Sequence, residues 1–171
     1  DLTLQHDEQK VLLNGILSNA ESDQLNILFK DFNLSSLNGI TKPLGITMSG
    51  AMNGNLEINS LFKSPYFIAN LQTNPILYNQ LPIGKLSLKA NYDQNANIVH
   101  LDSKIDDGNK SITLAGTYNI KEEEDKINLK ASLKNTDLIL FQPFLKSLVS
   151  NLQGRVHGEL DIKGNIDKPK I

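Results

Sequence analysis

Gly154-Arg155-Val156-His157-Gly158-Glu159-Leu160-Asp161-Ile162-Lys163-Gly164 carries an apolar residue or a glycine at every even number from Val156 on, and a polar or charged residue at every odd one. A chain with that period is a strand with one oily face and one wet face. The stretch continues into Asn165-Ile166-Asp167-Lys168-Pro169-Lys170-Ile171. The same phrase stands earlier as Gly50-Ala51-Met52-Asn53-Gly54-Asn55-Leu56-Glu57-Ile58-Asn59, running through Lys63 and Ser64 to Pro65. One offset of 104, from residue 50 to residue 154, matches Gly50, Gly54, Leu56, Ile58 and Pro65 to Gly154, Gly158, Leu160, Ile162 and Pro169.

Working outward, the offset holds without a gap from 25–67 to 129–171 and adds Leu25 with Leu129, Lys30 with Lys134, Leu34 with Leu138, Lys42 with Lys146 and Leu44 with Leu148. Any two amphipathic strands share alternating Leu and Ile, so the weight rests on the unbroken register. Upstream, Val11-Leu12-Leu13-Asn14-Gly15 resembles Ile112-Thr113-Leu114-Ala115-Gly116 at an offset of 101, which places three extra residues in an acidic turn. Turns are where repeats tolerate length changes. A unit of this size is several strands, which implies an elongated array of hairpins. The sequence also reads as a piece of a longer chain: it opens directly into a strand pattern, and the second copy stops at Ile171, the counterpart of Phe67.

Alternation marks the other strands. Leu2-Thr3-Leu4 and the run Val11, Leu13, Gly15, Leu17 form a hairpin around a polar turn. Leu25, Ile27 and Phe29 share one face of a third strand, with a bend at Asp31. Gly39, Pro43 and Gly45 make 35–45 a loop. Strands follow at about 46–60, 66–72 and 76–78. Then Leu86, Leu88, Ala90 and Tyr92 face away from Lys85, Ser87, Lys89 and Asn91. Val99, Leu101 and Ile105 return, followed by Ile112, Leu114, Gly116, Tyr118 and Ile120, and by Ile127, Leu129, Ala131 and Leu133: a four-strand meander. Pro143 in Leu140 to Leu148 fits the first turn of one short helix.

Composition narrows the function. The 171 residues carry a net charge of only -2, too little to hold nucleic acid or an anionic surface by charge alone. There is no cysteine, hence no disulfide, thiolate or Cys-ligated metal. No apolar run approaches the ~20 residues of a membrane-spanning helix. Each exposed apolar side chain forgoes roughly 1.5–3 kcal/mol, so the oily face must be covered. One half of the meander covering the other would be an ordinary β-sandwich. The alternative is a long sheet folded into an open trough whose lining accepts an apolar ligand. Aromatics are 6% and tryptophan is absent, so the lining is aliphatic, suited to acyl chains rather than sugar stacking. Glycines on that face, Gly50, Gly54, Gly116, Gly154 and Gly158, mark sharp bends or close approaches. The residues expected to line the trough are Met52, Leu56 and Ile58; Leu86, Leu88 and Tyr92; Val99, Leu101 and Ile105; Ile112, Leu114 and Tyr118; Ile127, Leu129 and Leu133; and Val156, Leu160 and Ile162.

These residues carry a resemblance. An Asn or Asp before Leu (Asn33-Leu34, Asp137-Leu138), a loosely helical or Pro-containing segment, then Gly-x-x-x-Gly-x-Leu-x-Ile, a Gly or Ser, and Pro five residues on, is similar to the repeats of the TamB family within the AsmA-like superfamily of bacterial bridge-like lipid transfer proteins. Gly154 to Pro169 matches best; the first copy has Ser60 where Gly164 stands. The motif-bearing parts cover about two fifths of the chain. The resemblance implies an all-β, elongated antiparallel β-taco, or repeating groove, with a hydrophobic interior. It implies a periplasmic location in a Gram-negative bacterium, with the full-length protein anchored in the inner membrane and meeting a TamA-like outer-membrane barrel through parts outside this sequence. Its implied role is phospholipid transport to the outer membrane and assistance in the assembly of outer-membrane proteins such as autotransporters. It carries over no catalytic residue, metal or cofactor.

The remaining residues point to no chemistry. His6, His100 and His157 lie far apart on wet faces or in a turn, without carboxylates at ligand spacing. Glu122 to Asp125 is a solvated hairpin tip, not a pair of opposed carboxylates. Asp93-x-Asn95-x-Asn97 lacks the glycine and the distant glutamate of a calcium loop, and Gly50-x-x-x-Gly54 is followed by no Lys-Ser/Thr. A structural or carbohydrate-binding sandwich would want exposed aromatics. A polysaccharide lyase would want clustered Asp, Arg or Lys on one face, and Arg155 is the only arginine. The expectation is a non-enzymatic groove.

Overall fold

The computed structural model describes residues 1–16, 18, 20, 22–60, 66–142, 152–165 and 168–170. Alternation gives strands β1 (Leu2–His6), β2 (Gln9–Gly15), β3 (Gln24–Asn33), β4 (Met48–Ser49), β5 (Ala51–Asn59), β6 (Tyr66–Thr73), β7 (Ile76–Tyr78), β8 (Leu81–Asp93), β9 (Ile98–Asp106), β10 (Ser111–Asn119), β11 (Ile127–Asp137), β12 (Arg155–Asn165) and β13 (Lys168–Lys170). They form a single antiparallel sheet in the order β1-β2-β3-β5-β6-β8-β9-β10-β11-β12-β13, with β4 and β7 paired beside the main path and β7 joined to β8. The fold is the all-β elongated open groove expected from the sequence; the α-helical element whose full range lies among the described residues is the short Asn38–Thr41. A compact monomer of this mass would expose about 8,300 Å²; this chain exposes 11036 Å².

The offset of 104 governs the hydrogen-bond ladder. Moving each partner in β3 and β5 forward by 104 turns Leu25↔Ile58, Ile27↔Leu56, Phe29↔Gly54 and Phe32↔Met52 into Leu129↔Ile162, Ala131↔Leu160, Leu133↔Gly158 and Thr136↔Val156, all of which are formed. Both ladders break at the same place, between Phe29 and Phe32 and between Leu133 and Thr136. Asp31 and Asn135 take left-handed backbone there, at φ 47° and 52°. Short-side-chain Asp and Asn tolerate this conformation better than most residues, and the bulge bends the strand. Leu34 N–H then donates to Gly50 O at 2.9 Å and Leu138 N–H to Gly154 O at 3.0 Å.

The loop expected at 35–45 is instead a chain of short helical turns. A 3-10 turn (Leu34–Leu37), helix α1 (Asn38–Thr41) and a second 3-10 turn (Lys42–Leu44) follow β3. Asn33 starts them, its side-chain oxygen accepting from Ser35 N–H at 2.9 Å. Gly45 ends them with φ 77°. Asn38 grips both backbone groups of Met48, and Asn79 accepts from Thr47 N–H while donating to Gly45 O. The segment is thereby tied to the sheet; Leu34, its first residue, is buried, as is Ile76 of β7. The helix expected over 140–148 lies mostly outside the described residues; Leu140 and Phe141 belong to a 3-10 turn, Leu138–Phe141.

Two of the five glycines expected to allow close approach do so between strands. A Cβ on Gly54 would strike the carbonyl of Asn70, and one on Gly116 that of Asn128, and both have φ near +140°. Gly50 abuts Ile76. Gly154, just before β12, and Gly158 within it have nothing within 4 Å of an added Cβ, so close approach does not account for these two. Ile120 also departs from its alternation: β10 ends at Asn119, leaving Ile120 46% exposed in the turn.

Candidate functional site

The register assembles the apolar residues into rows that run across the strands. In the first row Leu2, Leu13, Ile27, Leu56, Ala69, Ala90, Leu101, Gly116, Leu129 and Ile162 stand opposite one another in turn, from β1 to β12. In the second, Leu4, Val11, Phe29, Gly54, Leu71, Leu88, Ser103, Leu114, Ala131 and Leu160 do the same. Its single polar member, Ser103, donates its hydroxyl to Leu114 O at 3.3 Å, which cancels most of the polarity.

A row towards one rim holds Leu25, Ile58 and Phe67, then Tyr92, Val99, Tyr118, Ile127 and Gly164. The rings of Phe67 and Tyr92 stack at 6.2 Å and join its two parts. Towards the other rim, Phe32, Met52 and Thr73 are followed by Leu86, Ile105, Ile112, Leu133 and Gly158. Thr73 Oγ1 accepts from Leu86 N–H at 2.9 Å at the junction. Val156 lies opposite Thr136. All eighteen residues selected from the sequence thus stand on one face of one sheet.

That face spans ten strands, about 45 Å at ~4.8 Å per strand. It is only half covered. Ala69, Tyr92, Ile127, Ala131 and Leu133 are buried, while Leu56, Leu88, Leu101, Leu114 and Leu129 keep part of their surface in contact with solvent. Packed sandwich interiors bury such residues far more completely.

The opposite face holds the charges. Lys130 pairs with Glu159 at 3.1 Å, and that hydrogen bond is the main reason the lysine's pKa is raised. Lys104 pairs with Asp106, whose carboxyl is held below the ordinary range first by that lysine and then by Gly108 N–H. His100 and His157 are exposed, and His6 sits 3.4 Å from the exposed Asp7. Among the described residues no three of His, Asp and Glu gather as a metal site, and no helix is long and apolar enough to cross a membrane.

Sequence reasoning left out the face's first third: Leu2, Leu4, Val11, Leu13, Ile27 and Phe29, with Leu71 beyond them. The offset of 101 was the available signal, because it sets Val11 and Leu13 on Ile112 and Leu114, which were included. Compared with known proteins, the chain matches no family model, no curated protein and no solved structure.

Proposed function

We propose that this chain is a TamB-like segment whose apolar groove shields the acyl chains of phospholipids while they cross an aqueous compartment, in the service of outer-membrane biogenesis. The observation that carries the reading is the pair of rows crossing ten strands with Ser103 as their only polar side chain. An aqueous-facing sheet gains nothing from a continuous half-covered hydrocarbon strip; an acyl chain laid along it removes apolar surface from water at roughly 25 cal/mol per Å². A lipid tail spans about 15 Å, half of a ~30 Å hydrocarbon core, so the groove holds several tails in file. The strip offers no strong polar point at which a tail would stall. Transfer along it involves no covalent step, and the periplasm is the compartment in which the resemblance places it. Help with outer-membrane protein assembly, through a TamA-like barrel, belongs to the longer protein of that family.

Photo-crosslinking in cells tests this. Probes at Leu88, Leu114 and Leu160, all in the second row, give lipid adducts, and probes at Lys89, Thr113 and Asp161 on the wet face do not. Equal labelling of both sets would reject the groove.

A further inference from the structure

We infer that Lys110 and Arg155, braced by Asp137 at one rim of the groove, form an anchoring site for the phosphate of an amphiphile whose tail lies on the apolar face; the inference rests on the groove reading above. Lys110 Nζ meets Asp137 Oδ2 at 2.6 Å, and Arg155 Nε meets Asp137 Oδ1 at 3.2 Å. One carboxylate thus holds two cations, and a second, Asp107, lies beside Lys110, its Oδ1 accepting from Lys110 N–H at 2.7 Å. The ammonium keeps two further donors, and the guanidinium keeps the donors not used on Asp137 or on Asn135 Oδ1, 3.5 Å away. Arg155 is 58% exposed and Lys110 29%, so those donors can reach a ligand. Lys110, Ser111 and Asp137 share a small recess with Ile105, Ile112 and Leu140. Lys110 therefore stands where the oily row ends, while Asp137 and Arg155, alternating with Thr136 and Val156, belong to the charged face and meet Lys110 over the rim. A phosphate held there is joined to a tail that turns over the rim onto the apolar face.

The fold does not need these charges. The offsets of 101 and 104 set Lys110, Asp137 and Arg155 on Gln9, Asn33 and Ala51, where the neutral Gln9 Oε1 accepts from Asn33 N–H at 3.1 Å. The triple variant Lys110→Gln, Asp137→Asn, Arg155→Ala copies a set that the same fold already accommodates.

The test titrates the natural chain and the triple variant with dodecyl phosphate, dodecanol and inorganic phosphate at sub-micellar concentration, read by methyl NMR. The natural chain binds dodecyl phosphate about fivefold more tightly than dodecanol, the preference weakens with salt, and the triple variant loses it while binding dodecanol unchanged. Equal binding of the two amphiphiles to the natural chain, or a preference that survives the triple change, overturns the anchor and leaves the groove standing. Inorganic phosphate binding as well as dodecyl phosphate overturns the amphiphile as ligand. Binding of neither amphiphile overturns the groove, and the anchor with it.

Discussion

The first copy, β3 with β5, and the second, β11 with β12, share one hydrogen-bond register but differ in what lies beyond them. β5 is bonded along its far side to β6, from Met52 to Asn59. Among the described residues, β12 is bonded on that side only at Lys163 to Asn165. Leu56 is consequently half-buried, whereas its counterpart Leu160 is 36% exposed. Gly54 is pressed against Asn70, while Gly158 has open space around it. Burial in this sheet is set by the adjoining strand more than by the residue itself. The two rims also differ in chemistry: Asn33 caps a turn with its side chain, whereas Asp137, occupied by Lys110 and Arg155, makes no such cap.

The largest test of this contrast is steric. Gly54→Ala drives a methyl into a backbone carbonyl at a backbone angle few L-residues adopt, and should cost about 3 kcal/mol in urea unfolding. Gly158→Ala meets only the angle, and should cost about 1 kcal/mol. Equal losses would show that the neighbouring strand is not what separates the copies. The next largest concerns Ser60, which stands where the second copy has Gly164. Ser60 is buried with φ 51° and its hydroxyl finds no partner among the described residues. Ser60→Gly should add about 1 kcal/mol of stability, measured as a higher urea midpoint with an unchanged slope.

The smallest is electrostatic. The hydrogen bond from Lys110 holds the Asp137 carboxyl below its ordinary range, against an opposing effect of burial that is larger than the further lowering by the Arg155 hydrogen bond. A lowered folded-state pKa adds stability that is full above the unfolded value, about 3.9, and drains away as pH falls through the folded one. The triple neutral variant should therefore show a slightly shallower acid loss of stability than the natural chain, seen by circular dichroism during acid titration. Identical profiles would mean that these exposed pairs contribute nothing.

Much of this molecule was legible because a half-covered sheet writes its face into the sequence at every second residue, and because the offset of 104 fixed which strands are equivalent. The bend at Asp31 was readable for the same reason. The helical turns over 34–44 were not, since Gly39 and Pro43 argue against a long helix and the stabilising grips, Asn38 on Met48 and Asn79 on Thr47 and Gly45, come from distant residues. The rim trio was invisible as well. Asp137 lies 27 positions from Lys110 and 18 from Arg155, and only the pairing of β10, β11 and β12 brings them together.

The strands are joined chiefly side by side, each to the one before and the one after. Such a ribbon loses cooperativity with distance, so damage at β1 should be felt weakly at β11. Pulled or heated, it would come apart progressively, like a zip fastener, and amide exchange would fade by degrees from the middle strands to the two margins.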